Sequence, residues 1–193
     1  MIHPDTEIRR VDDVVGIGVF ATKRIPRGTL TWALDPLDQI LAAPRLEGLG
    51  SQWEGWLDHH TYHDPSGNRV LCWDAARSMN HSCRPTCGGS DLGFEVALVD
   101  IEEGEQLTND YGTLHLDARE GFACRCGAPG CRGLVEPDGS AWERWLPELR
   151  GALELLTEVP QPLAPIVAPA ILRAGRRSVG LPATAKRRRL HAV

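Results

Sequence analysis

Cys124, Cys126 and Cys131 stand in a C-x-C-x4-C run, and Cys83 closes the string Arg77-Ser78-Met79-Asn80-His81-Ser82-Cys83 well upstream. Such close spacing suits metal better than disulfides. Three thiolates leave a closed tetrahedral zinc site one ligand short. Either Cys83 or Cys87 can supply the fourth, and the turn Gly127-Ala128-Pro129-Gly130 is flexible enough to fold the run around one ion. Cys72 reads as a free, buried thiol. His59, His60 and His63 have no cysteine or carboxylate at fixed spacing, so they read as a solvated loop rather than a second metal site. Gly16-Ile17-Gly18-Val19-Phe20-Ala21 is, taken alone, a turn entering a strand. Tyr62 and Tyr111 are the two tyrosines of the chain.

These groups must be held by a β-rich α+β framework. Gly18 to Ala21 and Thr29 to Leu34 read as strands around the turn Ile25-Pro26-Arg27-Gly28. Residues 44 to 60 carry Leu46, Leu49, Trp53, Trp56 and Leu57 at helical spacing. Pro65-Ser66-Gly67-Asn68 turns into a strand from Arg69 to Trp73. Phe94 to Ile101 alternates, with Phe94, Val96 and Leu98 on one face and Glu95, Ala97 and Val99 on the other. Glu102-Glu103-Gly104 leads into a strand from Glu105 to Asn109. Ser140 and Glu143 have the form of a capping box before a helix whose face is Trp142, Trp145, Leu146, Leu149 and Leu153. Pro147 predicts a kink or a restart there.

Taken together, the strings ending in Cys83 and Cys131, with Gly104 to Gly112 between them, resemble the SET domain family of protein lysine methyltransferases with its post-SET segment. The resemblance covers roughly residues 8 to 135. It implies a fold of several short sheets with a C-terminal pseudoknot and a zinc-bound post-SET segment. It makes 1–135 a SET domain (post-SET segment about 119–135), while residue pattern and composition mark a helical extension at 136–160 and a Pro-rich then basic, disordered tail at 161–193. The cofactors it implies are S-adenosylmethionine and one structural zinc, the latter on Cys83, Cys124, Cys126 and Cys131.

By the same resemblance the donor site is Gly16, Gly18, Val19, Phe20, Arg77, Asn80, His81 and Leu134. Glycine there lets the backbone approach the donor closely, and the Asn80 amide suits a zwitterionic amino acid end. His81 is a donor-binding residue rather than a base. Tyr111 matches the catalytic tyrosine, with Tyr62 and Asn109 lining the lysine channel. A sulfonium and an apolar channel would lower the lysine pKa without a dedicated basic side chain. Thr31-Trp32-Ala33-Leu34-Asp35 departs from the family's Glu-Tyr-x-Gly-Glu, with Trp32 in place of the aromatic. Asn109 stands where relatives carry Phe or Tyr, so the number of methyl groups added is not readable.

The body of residues 1–158 carries a formal −12 and the remainder +7, giving the net −5. An acidic body favours a basic, lysine-containing protein or peptide partner. Lys186-Arg187-Arg188-Arg189 is a tail for weak nucleic-acid contact or a nuclear address, and Lys186 a candidate for self-methylation. No apolar run suggests a signal or a membrane span, which predicts a cytoplasmic protein with nuclear or nucleoid association open. A catalytically silent SET-like module binding nucleic acid through the tail is the competing reading.

Overall fold

A computed structural model describes residues 1–42, 46, 49–90, 93–114, 121–136 and 141–167. Among the described residues twelve short strands form four small sheets, the β-rich SET architecture that the resemblance implies. The sheet that positions the chemistry has the order β1 (Thr6–Arg10), β2 (Ile17–Ala21), β10 (Gln106–Asn109), β7 (Asn80–His81). The β10 strand pairs antiparallel with β2 through Gln106↔Phe20 and Leu107↔Val19, and parallel with β7 through Thr108↔Asn80 and Asn109↔His81. A late strand thus inserts between two earlier ones. Its backbone is what brings Gly16-Ile17-Gly18, Asn80-His81 and Asp110-Tyr111 to one place.

A second sheet runs β3 (Leu30–Ala33), β9 (Phe94–Ala97), β8 (Cys87–Ser90). The alternation expected of β9 is observed. Phe94 and Val96 enter a core with Leu98, Leu149, Ala152 and Leu153, whereas Ala97 joins a second core with Val19, Ile25, Ile101 and Leu107. In β3 the register shifts between Leu30 and Trp32, so that Leu30 pairs with Val96 and Trp32 with Glu95. This bulge re-aims Trp32 to the face of Glu95. A third sheet, β4 (Gln39–Leu41), β6 (Arg69–Leu71), β5 (Tyr62–His63), sets Tyr62, and the hairpin of β11 (Phe122–Ala123) and β12 (Leu134–Val135) brackets the cysteine run.

Helix α1 (Ser51–His60) occupies the end of the patch expected to be helical; residues 43–45, 47 and 48 lie outside the described ones. Helix α2 (Ala141–Glu154) runs through Pro147 without the expected restart. Burial of Ala141, Leu149, Ala152 and Leu153 holds it, since packing of an apolar face outweighs local propensity. Ser140 of the expected capping box lies outside the described residues.

The expectation of disorder from 161 onward needs correction for 161–167. Leu163 and Val167 are buried in the first core. The Gln161 side chain accepts from Leu30 N at 2.8 Å and donates to Gly28 O at 2.8 Å. Apolar residues between prolines find a core here that composition cannot reveal. Residues 168–193, including the basic tail and Lys186, lie outside the described ones.

Gly28 anchors this C-terminal packing. Its φ is +86°, and a Cβ there would come within 2.6 Å of Leu155 Cβ and 2.8 Å of Ala152 O. Gly28→Ala is expected to lower unfolding stability by about 2 kcal/mol or more, from backbone strain and overpacking together. Urea denaturation checks this.

Candidate functional site

One cleft of about 1080 Å³ collects seven of the expected site residues. Arg77, Asn80, His81, Tyr62, Asn109, Tyr111 and Cys126 line it, beside Trp32, Glu95, Phe122 and Trp142. The volume suits a cofactor-sized ligand.

The glycine strand forms one margin. A Cβ on Gly18 would stand 2.4 Å from Gln106 Oε1 and 2.8 Å from Asn80 Nδ2, so only glycine fits. Asn80 Nδ2 donates to Ile17 O at 2.8 Å and to Gln106 Oε1 at 2.7 Å. Both amide protons are thereby spent on the framework, which leaves Oδ1 to accept from a ligand. The other expected donor residues lie apart. Val19 is fully buried in the core, and Phe20 lies under the Arg9 guanidinium, 5.7 Å from its ring centroid. Neither side chain lines the cleft, and neither does Leu134, which is half exposed on β12. Arg77 is exposed on the cleft wall, in the 3-10 turn Ala75–Ser78.

Tyr111 donates its hydroxyl to Met79 O at 2.7 Å, and its backbone N donates to His81 Nδ1 at 3.1 Å. Burial, with Glu95 nearby, pushes the phenol up to about 12. It therefore stays neutral with its proton committed to a carbonyl, and its oxygen lone pairs remain free as acceptors. Phe122 completes a cluster of three rings, 5.5 Å from His81 and 5.9 Å from Tyr111 between centroids. Nothing in the string around Phe122 marked it. Only the β11–β12 pairing delivers it.

Asp110, buried, ties this centre to the rest. Its carboxylate accepts from Gly112 N at 3.0 Å, from Trp145 Nε1 at 2.9 Å and from the Arg132 guanidinium. Arg132 directly follows Cys131, so the ion pair clamps the cysteine segment and α2 onto the Tyr111 turn. The guanidinium is held charged: burial opposes ionisation, and the Asp110 hydrogen bond and charge more than offset that.

The sulfurs of Cys83, Cys124 and Cys126 and the imidazole of His81 have ligating atoms within 4.8 Å of one another. Cys131 stands at the edge of this group, its sulfur 4.0 Å from Cys124 O, and its thiol interacts with those of Cys124 and Cys126. The fourth vertex is therefore His81 Nε2 or Cys131 Sγ. The Tyr111 N–H aimed at His81 Nδ1 assigns the lone pair to Nδ1 and the proton to Nε2. A protonated Nε2 cannot ligate. It points instead at Cys83 Sγ, 3.3 Å away, as a donor to thiolate. Burial also lowers the His81 pKa to about 4, which keeps the ring neutral.

The chemistry of the donor set fits a tetrahedral thiolate zinc. Backbone N–H groups already aim at the sulfurs: Arg132 N at Cys83, Cys83 N at Cys126, Cys126 N at Cys124 and Gly133 N at Cys131, each 3.4 or 3.5 Å away. Burial and the adjacent thiols hold the Cys124 pKa up; for Cys126 the N–H donors overcome burial and lower it. Adjacent sulfurs resist ionising together unless a cation joins them. Cys87, the rival ligand, lies fully buried in the second core and is pushed up to about 12 by burial.

Residues 16–112 match the family model of the SET domain. An H3 lysine-4 specific histone-lysine N-methyltransferase of Debaryomyces hansenii is 35% identical over 96 residues, 46% of this chain and 8% of its own length. The histone-lysine N-methyltransferase ash1 of Drosophila melanogaster is 41% identical over 66 residues, 31% of this chain and 3% of its own. This chain thus spans a small part of these much longer relatives. A crystal structure of KRYPTONITE with mCHH DNA, an H3(1-15) peptide and SAH superposes with a TM-score of 0.46 and 21% identity, over 69% of this chain and 30% of that one. No helix among the described residues is long and apolar enough to cross a membrane.

Cys131→Ser is expected to weaken zinc retention at least about 10-fold, and His81→Gln distinctly less, in competition with a chromophoric chelator. Equal or greater loss from His81→Gln would make the imidazole a ligand.

Proposed function

The chain belongs to the SET domain family, and on that premise we propose that it is an S-adenosylmethionine-dependent protein-lysine N-methyltransferase with one structural zinc. The observation that carries the reading is the convergence of Asn80 and the Tyr111 hydroxyl in one cleft through the β10–β7 pairing. The donor supplies an electrophilic methyl on a positive sulfur.

The chain's own residues supply position and environment. Asn80 Oδ1 is left to receive the ammonium of the donor's amino acid end, with Arg77 on the same wall for its carboxylate. The Tyr111 oxygen, its proton held by Met79 O, presents lone pairs to a polarised methyl and to an amine N–H. Tyr62 packs edge-on to Trp32 with centroids 5.9 Å apart, and this pair walls the substrate side with Asn109. In-line alignment of a neutral amine within this wall makes catalysis mainly a matter of orientation. Zinc on Cys83, Cys124, Cys126 and Cys131 would fix the post-SET segment, and with it Phe122, against His81 and Tyr111.

The proposed substrate is a lysine in a basic protein segment, in keeping with the acidic body and with relatives named for histone H3. That partner class places the protein with chromatin or another nucleic-acid-associated protein, and the basic tail is a further proposed contact with nucleic acid. Tyr111→Phe is expected to cut methyl transfer to a synthetic histone H3 N-terminal peptide roughly 100-fold. S-Adenosylhomocysteine affinity should change only a few-fold. Transfer unaffected by the variant would remove Tyr111 from the reaction centre. Absence of both donor binding and transfer in the parent protein would favour the silent module.

A further inference from the structure

Glu95 sits in the middle of β9 and lines the cleft beside Trp32, Tyr62 and Asn109. Directly opposite it across the sheet are Trp32 and Gly89, so all three share a face. The bulge in β3 puts Trp32 there. Gly89 leaves the room, since a Cβ on it would lie 3.2 Å from Glu95 Oε1. Oε1 accepts from the Asn109 side-chain amide. Oε2 is shielded from solvent and has no hydrogen-bond partner among the described residues.

The groups that face this carboxyl are uncharged. Tyr62 from β5, Cys72 after β6, Cys87 from β8 and Tyr111 after β10 all feel its charge, and burial raises the pKa of each. Trp32 Nε1 is likewise buried without a partner. A buried acid without a cation is costly to keep. Aromatic walls with one acid at their base suit an incoming ammonium. Burial pushes Glu95 up to about 7, so near neutrality it is both available as carboxylate and able to hold a proton.

Resting on the methyl-transfer reading of this cleft, we propose that Glu95 takes the proton of the substrate lysine. As the ammonium comes in along the wall formed by Trp32 and Tyr62, an N–H bond breaks with its electron pair left on nitrogen, and an O–H bond forms at Oε2. Ammonium plus carboxylate become amine plus carboxylic acid. A positive sulfonium nearby favours this outcome over a second cation. The freed pair then attacks the methyl carbon as the carbon–sulfur bond electrons pass to sulfur, giving a methylammonium and a thioether. Glu95 returns its proton to water when the product leaves. The resemblance implied no basic side chain; the bulge and Gly89 build a place for one.

The test is the pH dependence of methyl transfer by the full chain and by Glu95→Gln, on a synthetic histone H3 N-terminal peptide containing lysine 4. The parent rate should rise through about pH 7 and level off. The variant should fall roughly 100-fold near neutrality and recover towards the parent near pH 10, where lysine frees itself. A loss equal at every pH, or an unchanged profile, would overturn the proposal while leaving the methyltransferase reading intact. A parent that binds donor yet methylates no lysine would overturn both.

Thermal unfolding gives a readout independent of activity. A folded pKa above the ordinary 4.5 means that the contribution of Glu95 to stability is complete below about 4.5 and is lost as pH rises through about 7. Glu95→Gln should therefore unfold at a higher temperature than the parent at pH 8, with the gap closing by pH 4. No gap at pH 8 would mean a solvated carboxylate, and the proposal would fall.

Discussion

The rest of the structure depends on the buried ion pair between Asp110 and Arg132. Asp110 ends the central strand and begins the turn that carries Tyr111, whereas Arg132 belongs to the cysteine segment. A buried carboxylate is tolerable only with a cation and further donors. Here Gly112 N and Trp145 Nε1 are the further donors, and each comes from an element that must be in place. The Tyr111 turn, the cysteine segment and the C-terminal helix are therefore conditions for one another.

His81 extends the same coupling in the other direction. Its ring accepts a hydrogen bond from the Tyr111 backbone N–H and donates one towards Cys83. A residue of the expected donor motif thus sits between Tyr111 and the cysteine sulfurs, with one ring nitrogen turned to each. Phe122 closes over both rings. Ordering the cysteine run consequently shapes the cleft wall as well as stabilising the chain.

Much of this was legible from residue types and order. Asn80, His81, Cys83 and Tyr111 carry local strings specific enough to name a family, and the alternation of Phe94 to Val99 announced a strand with two faces. What escaped was what arises from pairing. The bulge that turns Trp32 towards Glu95 leaves no mark in the sequence, where the alternation of the strand sets Glu95 only on the face opposite Phe94. Phe122 and Trp145 reach the site through a two-residue strand and a helix far along the chain. In the glycine string, strand alternation turns the side chains of Val19 and Phe20 to the core and to Arg9 and leaves only their backbone to face elsewhere. Leu163 and Val167 lay in a proline-rich segment whose apolar residues find partners only in three dimensions.

On the proposed function, the donor site and the cysteine segment form a single unit. This is tested most directly by titrating S-adenosylhomocysteine calorimetrically into the zinc-loaded and the zinc-stripped protein. Saturable binding at one site that weakens at least about 10-fold on stripping is the expected result, because two ligands of one folded unit must be linked. Equal affinity in both forms, or no binding by the zinc-loaded protein, would contradict it.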